Sequence, residues 1–368
     1  MPSILPASAS TTPSASATIS GVTSASTSGT ASAIPSSSPF PLVRLGTTGL
    51  TISRLVLGTM TFGLQTDEPT AQRILGTAVD AGVNILDTAD VYPLGGGVAT
   101  AGRTEEIVGR WLKGRRSQVI LATKAHGAVG PEAWDHGNSR KHLFDAIDAS
   151  LRRLQTDHID LYQLHADDPH TPLEETITAL HDLVAVGKVR YLGVSNFLAY
   201  RLARALGRQQ ARHLAAFVSI QPRYSLLFRE IERELLPLAQ EEGLAVIPYN
   251  PLAGGLLSGK HRSGPPTPGT RFTLGAAAER YQERYWHERE FATVEALKPL
   301  AAEAGVPLTT LAVAWVLANP VITAPIIGAS RPEQLHEVLA AARVRLDPAL
   351  KRRLDELTAE YRRGDATR

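Results

Sequence analysis

The sequence contains no cysteine and only two methionines among its 368 residues. The absence of cysteine excludes disulfides, thiolate nucleophiles and cysteine-ligated zinc or iron–sulfur sites. A strong net charge is also missing, because 38 Lys+Arg and 36 Asp+Glu leave only +2, so we expect no nucleic-acid partner. The chemistry must therefore rest on other side chains, in a chain long enough for one large domain or two ordinary ones.

Charged residues are absent from residues 1–43, which consist mainly of Ser, Ala, Thr and Pro. Such a segment buries too little apolar surface to offset the entropy of ordering it. It also lacks the basic start and the continuous apolar stretch of a signal peptide. The sequence thus predicts a disordered tail over residues 1–42, a folded domain over residues 43–368 and a cytoplasmic protein.

A second uncharged stretch runs from Ala304 to Ser330 and raises the question of a membrane span, which needs about 20 apolar residues. Pro307, Pro320 and Pro325 divide it into one piece of helix length and one of strand length. That division favours a buried helix leading into a buried strand. We therefore expect no association with a membrane.

Short β-rich runs alternate with helical stretches along the rest of the chain. The runs are VLGTM (56–60), VNILDT (83–88), VILATK (119–124), IDLYQLH (159–165), VRYLGVS (189–195), FVSIQP (217–222), AVIPYN (245–250) and ITAPIIG (322–328). Their apolar character is typical of parallel strands covered by helices on both faces. Eight such units predict an α/β fold, a (β/α)8 TIM barrel with a short N-terminal hairpin. An open doubly wound sheet is the alternative, but the first turn lacks the G-x-G-x-x-G spacing.

Polar residues recur at the carboxyl ends of these runs, where a barrel builds its active site. They are Thr59, Asp87, Lys124, His165, Ser195 with Asn196, Gln221, Tyr249 and Ser330. Packing alone hardly explains this set, because unpaired buried charges cost several kcal/mol. Tyr92 follows Asp87 closely and can fold over the same mouth. A Lys124 cation held by Asp87 would lower the pKa of Tyr92 and make the phenol a proton donor near neutral pH.

These residues and their surroundings resemble the aldo-keto reductase superfamily, in particular its longer bacterial-type members related to the channel beta-subunit branch. The motifs that carry the resemblance are ILDTADVY, GRTEEIVGRWL, VILATK, HIDLYQLH, GKVRYLGVSNF, SIQPRYSLL, IPYNPLAGGLLSGK and IIGASRPEQL. The resemblance implies an NADP(H)-dependent oxidoreductase that reduces an aldehyde or ketone, sugar-derived carbonyls included, to the alcohol. It makes Tyr92 the general acid, with Asp87 and Lys124 tuning it and His165 orienting the carbonyl.

The same motifs imply positions that bind NADP(H). Tyr249 would stack on the nicotinamide, while Ser195, Asn196 and Gln221 would bind its carboxamide. The other cofactor positions are Thr59 at the first strand end, Pro251, Leu252, Gly254, Leu256, Lys260 and Arg271 at the phosphates, and Gly328, Ser330, Arg331, Gln334 and Glu337 around the adenosine. The chain departs from many family members at Val338, where they have an asparagine.

The step from Tyr249 to Ser330 is 81 residues, about twice the usual β-α repeat, so the seventh β-α loop carries an insertion from about His261 to Glu290. Its turn-rich first half and its aromatic, charged second half predict a lid over a bound cofactor, and a solvated surface loop is the alternative. The candidate apolar walls of the substrate pocket are Phe62, Tyr92, Trp134 and Trp286.

Three other functions stay open at this point. A metal-dependent barrel hydrolase could use the ligands His165, Asp167, Asp168, His170, Asp87 and Asp90. However, Lys124 would place a cation at the metal position, so we predict no metal site. The others are an NADPH-binding regulatory subunit and a non-redox enzyme that acts on a sugar phosphate. The partner we expect is a small carbonyl or alcohol substrate.

Overall fold

The computed structural model describes residues 32–33 and 40–364 of the chain. Eight parallel strands form one sheet. They are β1 (Val56–Gly58), β2 (Ile85–Asp87), β3 (Ile120–Ala125), β4 (Ile159–Leu164), β5 (Val189–Ser195), β6 (Phe217–Gln221), β7 (Ala245–Val246) and β8 (Ile326–Ile327). β8 pairs with β1, and the β7 and β8 edges meet through a parallel bridge between Val246 and Ile322. The predicted (β/α)8 barrel is therefore confirmed.

Helices follow the strands and cover the outside of the barrel. They are α1 (Glu68–Asp80), α2 (Arg103–Leu112), α3 (Arg140–Leu154), α4 (Leu173–Ala185), α5 (Ala199–Ala211), α6 (Leu235–Glu241), α7 (Ala278–Tyr285), α8 (Glu288–Glu303), α9 (Leu308–Leu317), α10 (Leu335–Ala340) and α11 (Pro348–Leu357). In α1 the Asp67 side chain accepts the Thr70 N–H and caps the first turn. Its buried residues Ala71, Ile74 and Ala78 recur at helical spacing and face the sheet.

The strands β7 and β8 are shorter than the runs predicted for them. Pro248 and Pro325 have no N–H to donate to a neighbouring strand, so the regular ladder stops beside them. The backbone still follows the barrel, because Ile326 N–H donates to the Pro248 carbonyl at 2.8 Å and Tyr249 N–H to the Pro222 carbonyl at 2.9 Å. Tyr249 therefore still lies at the carboxyl end of the barrel.

The sequence between the sixth and seventh β-rich runs predicts one helix over residues 229–242, but this helix is broken in the structure. A 3-10 turn spans Glu230–Glu232, and α6 begins at Leu235. Pro237 explains the break, because its missing N–H and its ring are tolerated in the first turn of a helix but not in its interior. The α6 that remains lies before β7.

An antiparallel pair, Leu42–Arg44 with Thr51–Ser53, covers the end of the barrel opposite the site. At Gly46, in its turn, a Cβ would lie only 2.7 Å from the Gly243 carbonyl oxygen, at the start of β7. A small core fills the barrel above this pair. Its buried members are Leu45, Ile52, Val56, Ile85, Ala122, Leu161, Ala245, Ile247, Ala324 and Ile326. The functional end is therefore the other one.

Most of the predicted tail, residues 1–42, lies outside the described residues. Within it, Ser32–Ala33 pairs antiparallel with Val344–Arg345. Phe40 is 9% exposed and packs over Gly82, where a Cβ would lie 2.5 Å from the Phe40 Cβ. Core packing thus includes a residue three positions before the predicted boundary at 43.

Among the described residues, no single helix has the length and apolarity to cross a membrane. The pair α8 and α9 passes that test together, but the two helices meet at an angle of 88°. Nine of the ten residues of α9 are buried, from Leu308 to Val316. The uncharged stretch that begins at Ala304 therefore belongs to the protein core.

Candidate active site

The carboxyl ends of β2 and β3 bring together an aspartate and a lysine. The Lys124 ammonium lies 2.5 Å from Asp87 Oδ1 and donates a second hydrogen bond to the Thr88 carbonyl at 2.7 Å. Thr59, after β1, donates its hydroxyl to the Asp87 carbonyl at 2.9 Å. Lys124 is fully buried and Asp87 is 3% exposed. Each charge needs the other, since an uncompensated buried charge is strongly destabilising.

Two glutamines complete the hydrogen bonding of the Asp87 carboxylate. Gln163 Nε2 and Gln221 Nε2 donate to Asp87 Oδ2 at 3.1 and 2.9 Å, and Gln221 Nε2 also donates to Gln163 Oε1 at 3.1 Å. The Gln221 amide nitrogen is therefore engaged, while Gln221 Oε1 accepts no hydrogen bond from the described residues and is available as an acceptor for a ligand. The sequence analysis did not single out Gln163. It could have done so, because Gln163 comes two residues before His165 and side chains two residues apart point to the same face of a strand.

Tyr92 lies in the loop after β2 and closes over this end of the barrel. Its ring meets His165 edge to face with centroids 5.7 Å apart, and Lys124 Nζ lies 5.1 Å from the Tyr92 centroid. The four predicted catalytic residues, Asp87, Tyr92, Lys124 and His165, are thus neighbours. Within the described part of the chain, the Tyr92 hydroxyl has no hydrogen-bond partner. The hydroxyl is available to a ligand.

Burial determines the protonation states of these groups. It raises the pKa of Tyr92 well above its ordinary value, and the Asp87 charge acts in the same direction. The expectation that Lys124 lowers the pKa of Tyr92 is wrong for this structure, because Asp87 compensates the ammonium and the phenol is buried. Burial also lowers the pKa of His165 well below its ordinary value, with the Lys124 charge adding to it. At neutral pH Tyr92 holds its proton and His165 is uncharged.

The residues predicted to bind a carboxamide form a hydrogen-bonded chain across β5, β6 and β7. Ser195 Oγ donates to the Gln221 carbonyl at 2.8 Å, and Asn196 Nδ2 donates to Ser195 Oγ at 3.0 Å and to the His165 carbonyl at 2.9 Å. The Tyr249 hydroxyl donates to Asn196 Oδ1 at 2.8 Å. These bonds fix the Tyr249 ring at the mouth of the barrel, as a stacking surface requires.

The segment between β7 and α8 is built around aromatic packing, and we call residues 261–287 the lid segment, although its covering of a bound cofactor stays a prediction. His261, Phe272 and Trp286 have ring centroids 4.5 to 5.5 Å apart. Trp286 is therefore inside the lid segment, and its Nε1 donates to the Gly264 carbonyl at 2.7 Å. Phe62 is fully buried in the core, so the prediction that it lines a substrate pocket is wrong, whereas the same prediction for the partly buried Trp286 stays a prediction.

The glycines after β7 serve the lid segment. Gly254 and Gly255 have φ of 71° and 104°, where a side chain is strained. A Cβ on Gly254 would lie 2.8 Å from Tyr281 Cδ1 of α7, whereas on Gly255 it would meet only His261 Nε2, at 3.7 Å. Contact of this segment with a pyrophosphate stays a prediction for Pro251, Leu252, Gly254 and Leu256.

Three of the predicted phosphate-binding cations have no ion pair among the described residues. They are Lys260, Arg271 and Arg331. Arg271 Nη1 lies 3.4 Å from the Tyr281 hydroxyl, and Arg331 is exposed. Cations without carboxylate partners suit a polyanionic ligand, so the residues present fit the phosphates of a dinucleotide.

The sequence predicts a helix that starts near Pro332 and binds the 2′-phosphate of the adenosine with Ser330, Arg331 and Gln334, but the turn after β8 differs from this expectation. Pro332–Gln334 is a 3-10 turn, and α10 begins at Leu335. Gln334 Oε1 accepts the Ser330 N–H at 2.9 Å and lies 3.2 Å from Ser330 Oγ, so this side chain occupies both groups predicted to hold a phosphate. Glu337 is exposed, whereas Val338 is 2% exposed and belongs to the core. A Cβ on Gly328 would meet nothing closer than 3.8 Å.

Ser330 and Arg331 also line a cavity of about 590 Å³ between the loop after β1 and helix α2. Gln65 and Arg103 face it, together with the ion pair of Arg110 and Glu68. This volume is in the range of ligand pockets. The cavity therefore leaves room for part of a nucleotide beside Arg331.

Two of the acidic residues that a metal-dependent hydrolase would need, Asp167 and Asp168, are engaged by other groups of the protein. Asp167 pairs with Arg201 at 2.7 Å, and Asp168 accepts the N–H groups of Asn138 and His170 at 2.9 Å. Asp90 is fully buried, and burial raises the pKa of its carboxyl well above the ordinary value. In the described part of the chain, no cluster of three or more His, Asp or Glu could hold a metal ion.

Comparison with known proteins agrees with the fold and identifies the family. The Aldo/keto reductase family model matches residues 54–359. An oxidoreductase of Bacillus subtilis, YrpG, is 42% identical over 85% of this chain and 94% of its own length. A probable voltage-gated potassium channel subunit beta of Arabidopsis thaliana is 37% identical over 82% and 90%, and Protein tas of Escherichia coli is 35% identical over 79% and 90%. The chain belongs to the aldo/keto reductase family of oxidoreductases.

Proposed function

We propose that this protein reduces an aldehyde or ketone to the alcohol with NADPH, and that Tyr92 supplies the proton. The observation that carries the proposal is the buried group of Tyr92, Lys124, Asp87 and His165 at the carboxyl end of the barrel. NADPH, when bound, supplies the hydride. The residues of this chain bind and orient the reactants and hold the proton.

The state of Tyr92 supports its role as an acid. Its raised pKa keeps the phenol protonated at neutral pH, as a donor to a carbonyl oxygen must be. His165 is neutral and lies against the Tyr92 ring, so it can donate one hydrogen bond to the same oxygen and orient it. Lys124 and Asp87 add a compensated pair behind the ring rather than a free charge.

The cofactor would lie between two sets of residues. Tyr249, fixed by Asn196, would stack on the nicotinamide, while Gln221 Oε1 and Ser195 lie beside it for the carboxamide. The phosphates would meet the cations without ion pairs, namely Lys260, Arg271 and Arg331. A preference for NADPH over NADH follows if Arg331 holds the 2′-phosphate.

A panel of simple aldehydes and ketones, followed by the loss of NADPH absorbance, tests the proposal. We expect turnover in the wild type, and Tyr92→Phe should lose about 100- to 10,000-fold in kcat while NADPH binding is unchanged. Tyr200→Phe, in a tyrosine 64% exposed on α5, is the matched control and should keep full activity. Turnover that survives Tyr92→Phe would reject the assigned acid.

A second function is favoured by the relatives named as potassium channel beta subunits. A regulatory subunit could keep the same site and bind NADPH without appreciable turnover. Absence of turnover across the panel, together with tight NADPH binding, would favour this function.

A further inference from the structure

Helix α2 covers the outside of the barrel beside the loop that carries Tyr92. Thr104, in the first turn of this helix, is fully buried. Its backbone N–H donates to the Tyr92 carbonyl at 3.3 Å, and its hydroxyl donates to the Phe62 carbonyl at 2.7 Å. The first turn of α2 therefore holds the backbone of the proposed acid directly.

The next residue, Glu105, joins the same turn to strand β3. Glu105 is fully buried, and its Oε1 accepts the Thr123 hydroxyl at 2.6 Å. Thr123 is also fully buried and directly precedes Lys124 in the strand. Because successive side chains of a strand point to opposite faces, Thr123 faces α2 while Lys124 points into the barrel. Glu105 thus holds the strand beside the buried cation.

Arg153 of α3 compensates the charge of Glu105. Arg153 Nε donates to Glu105 Oε2 at 2.7 Å, and the arginine side chain is 21% exposed. It also packs over the start of α2, where a Cβ on Gly102 would lie 2.5 Å from Arg153 Cδ. Both oxygens of this buried carboxylate are therefore engaged within the protein. That arrangement fits a residue that holds neighbouring elements in place, since a residue that binds substrate needs a free acceptor.

We propose that Thr104 and Glu105 are positioning residues, and that this one turn of α2 sets the place of Tyr92 relative to Lys124. The turn holds the Tyr92 backbone through Thr104 and the Lys124 strand through Glu105, and Lys124 Nζ lies 5.1 Å from the Tyr92 ring centroid. A reaction rate depends steeply on such placement, and a displacement of about 1 Å can lower it about 100-fold. The proposal rests on the proposed carbonyl reduction and adds two residues to it.

Two substitutions of Thr104 isolate its hydrogen bond to Tyr92. Thr104→Pro removes the N–H and the hydroxyl, whereas Thr104→Val removes the hydroxyl alone. The second position of a helix accepts proline, as Pro69 shows in α1. We expect the single-turnover rate of hydride transfer to be about 10- to 100-fold lower in Thr104→Pro than in Thr104→Val, with unchanged KM for the aldehyde and unchanged Kd for NADPH. Equal rates in the two variants would contradict the role of Thr104.

Substitution of Glu105 gives the second arm. Glu105→Leu should slow hydride transfer about 10- to 100-fold, and Glu105→Gln should restore part of the rate, because an amide oxygen can still accept the Thr123 hydroxyl. Glu106→Leu is the matched control, since Glu106 is exposed and lies in the same first turn. If Glu105→Leu does not fold, Thr123→Val removes the same hydrogen bond and keeps the ion pair. Rates equal to that of the control would contradict the role of Glu105.

A measurement that needs no turnover separates this inference from the proposed function. Fluorine NMR of the protein with 3-fluorotyrosine in place of Tyr92 reports the surroundings of that ring. We expect one resonance shared by the wild type and Thr104→Val, and a shifted or broadened one in Thr104→Pro and Glu105→Leu. That result without reduction of any aldehyde would support the positioning residues and reject the proposed function alone. Reduction at the wild-type rate in both Thr104→Pro and Glu105→Leu would overturn the inference and leave the function standing.

Discussion

The carboxyl end of the barrel and the lid segment are held by different interactions. At the barrel end, Asp87 accepts hydrogen bonds from Lys124, Gln163 and Gln221, and its surroundings exclude water. The lid segment is held by aromatic packing, and its partly exposed Arg271 has no carboxylate partner among the described residues. The barrel end thus has fixed protonation states, whereas the lid segment offers charge to an incoming ligand.

The strongest way to break this comparison is to remove the buried cation. Lys124→Met should destabilise the fold by about 3–5 kcal/mol, because Asp87 is left as an uncompensated buried charge. Unfolding in urea measures this. Lys141→Met is the matched control, since the Lys141 and Asp145 side chains are 58% and 63% exposed and such pairs contribute at most about 1 kcal/mol. Equal losses of unfolding free energy in the two variants would show that burial does not make the loss of the Lys124 cation more costly than the loss of an exposed one.

A smaller effect is expected from the lid segment in acid. Burial lowers the pKa of His261 to about 4, so between that pH and about 6.5 the unfolded chain binds more protons than the folded one. Stability is therefore lost as pH falls below about 6.5, by up to about 2 kcal/mol between pH 7 and 5. His261→Phe should remove this part of the pH dependence.

Urea unfolding at pH 7 and at pH 5 checks the prediction for His261. The lowered pKa of His165 acts in the same direction in both proteins, so only the difference between wild type and variant counts. The exposed His336 provides the control variant, His336→Gln. An unchanged pH dependence in His261→Phe would mean that the aromatic cluster does not bury a neutral imidazole.

The smallest expected effect concerns the binding of the cofactor by Arg331, the cation that follows β8. Arg331→Ala should weaken NADPH binding about 10-fold and leave NADH binding unchanged, because only NADPH carries the 2′-phosphate. Fluorescence titration of both cofactors measures this. The exposed Arg345 gives the control, Arg345→Ala. Equal weakening of the two cofactors would show that Arg331 does not bind the phosphate.

The sequence predicts the barrel end better than the lid segment, for a physical reason. Asp87, Lys124 and His165 stand out because each interrupts an apolar strand, and strand ends converge in any parallel barrel. The spacing of the runs likewise fixes the barrel, apart from the shortening of its last two strands beside Pro248 and Pro325.

The residues that were missed depend on tertiary contacts. Gln163 is a polar residue inside the run IDLYQLH, and nothing in that run shows that it meets Asp87. Its hydrogen bond to Asp87 Oδ2 at 3.1 Å joins β4 to β2, which are not neighbouring strands, so the contact depends on the curvature of the barrel. The direction of the pKa shift of Tyr92 also depends on tertiary structure. The sequence shows that Lys124 lies near Tyr92, but only the fold shows that Asp87 compensates the Lys124 charge and that burial raises the pKa of the phenol.

The central claim is that Tyr92 holds a proton at neutral pH and gives it to the carbonyl. The most direct test is the rate of hydride transfer from NADPH in a single turnover, measured from pH 6 to 8 in wild type and Tyr92→Phe. The raised pKa of Tyr92 predicts a wild-type rate that does not fall across this range, and a rate about 100- to 10,000-fold lower in the variant. A wild-type rate that falls with a midpoint near pH 7, or a variant as fast as the wild type, would contradict it.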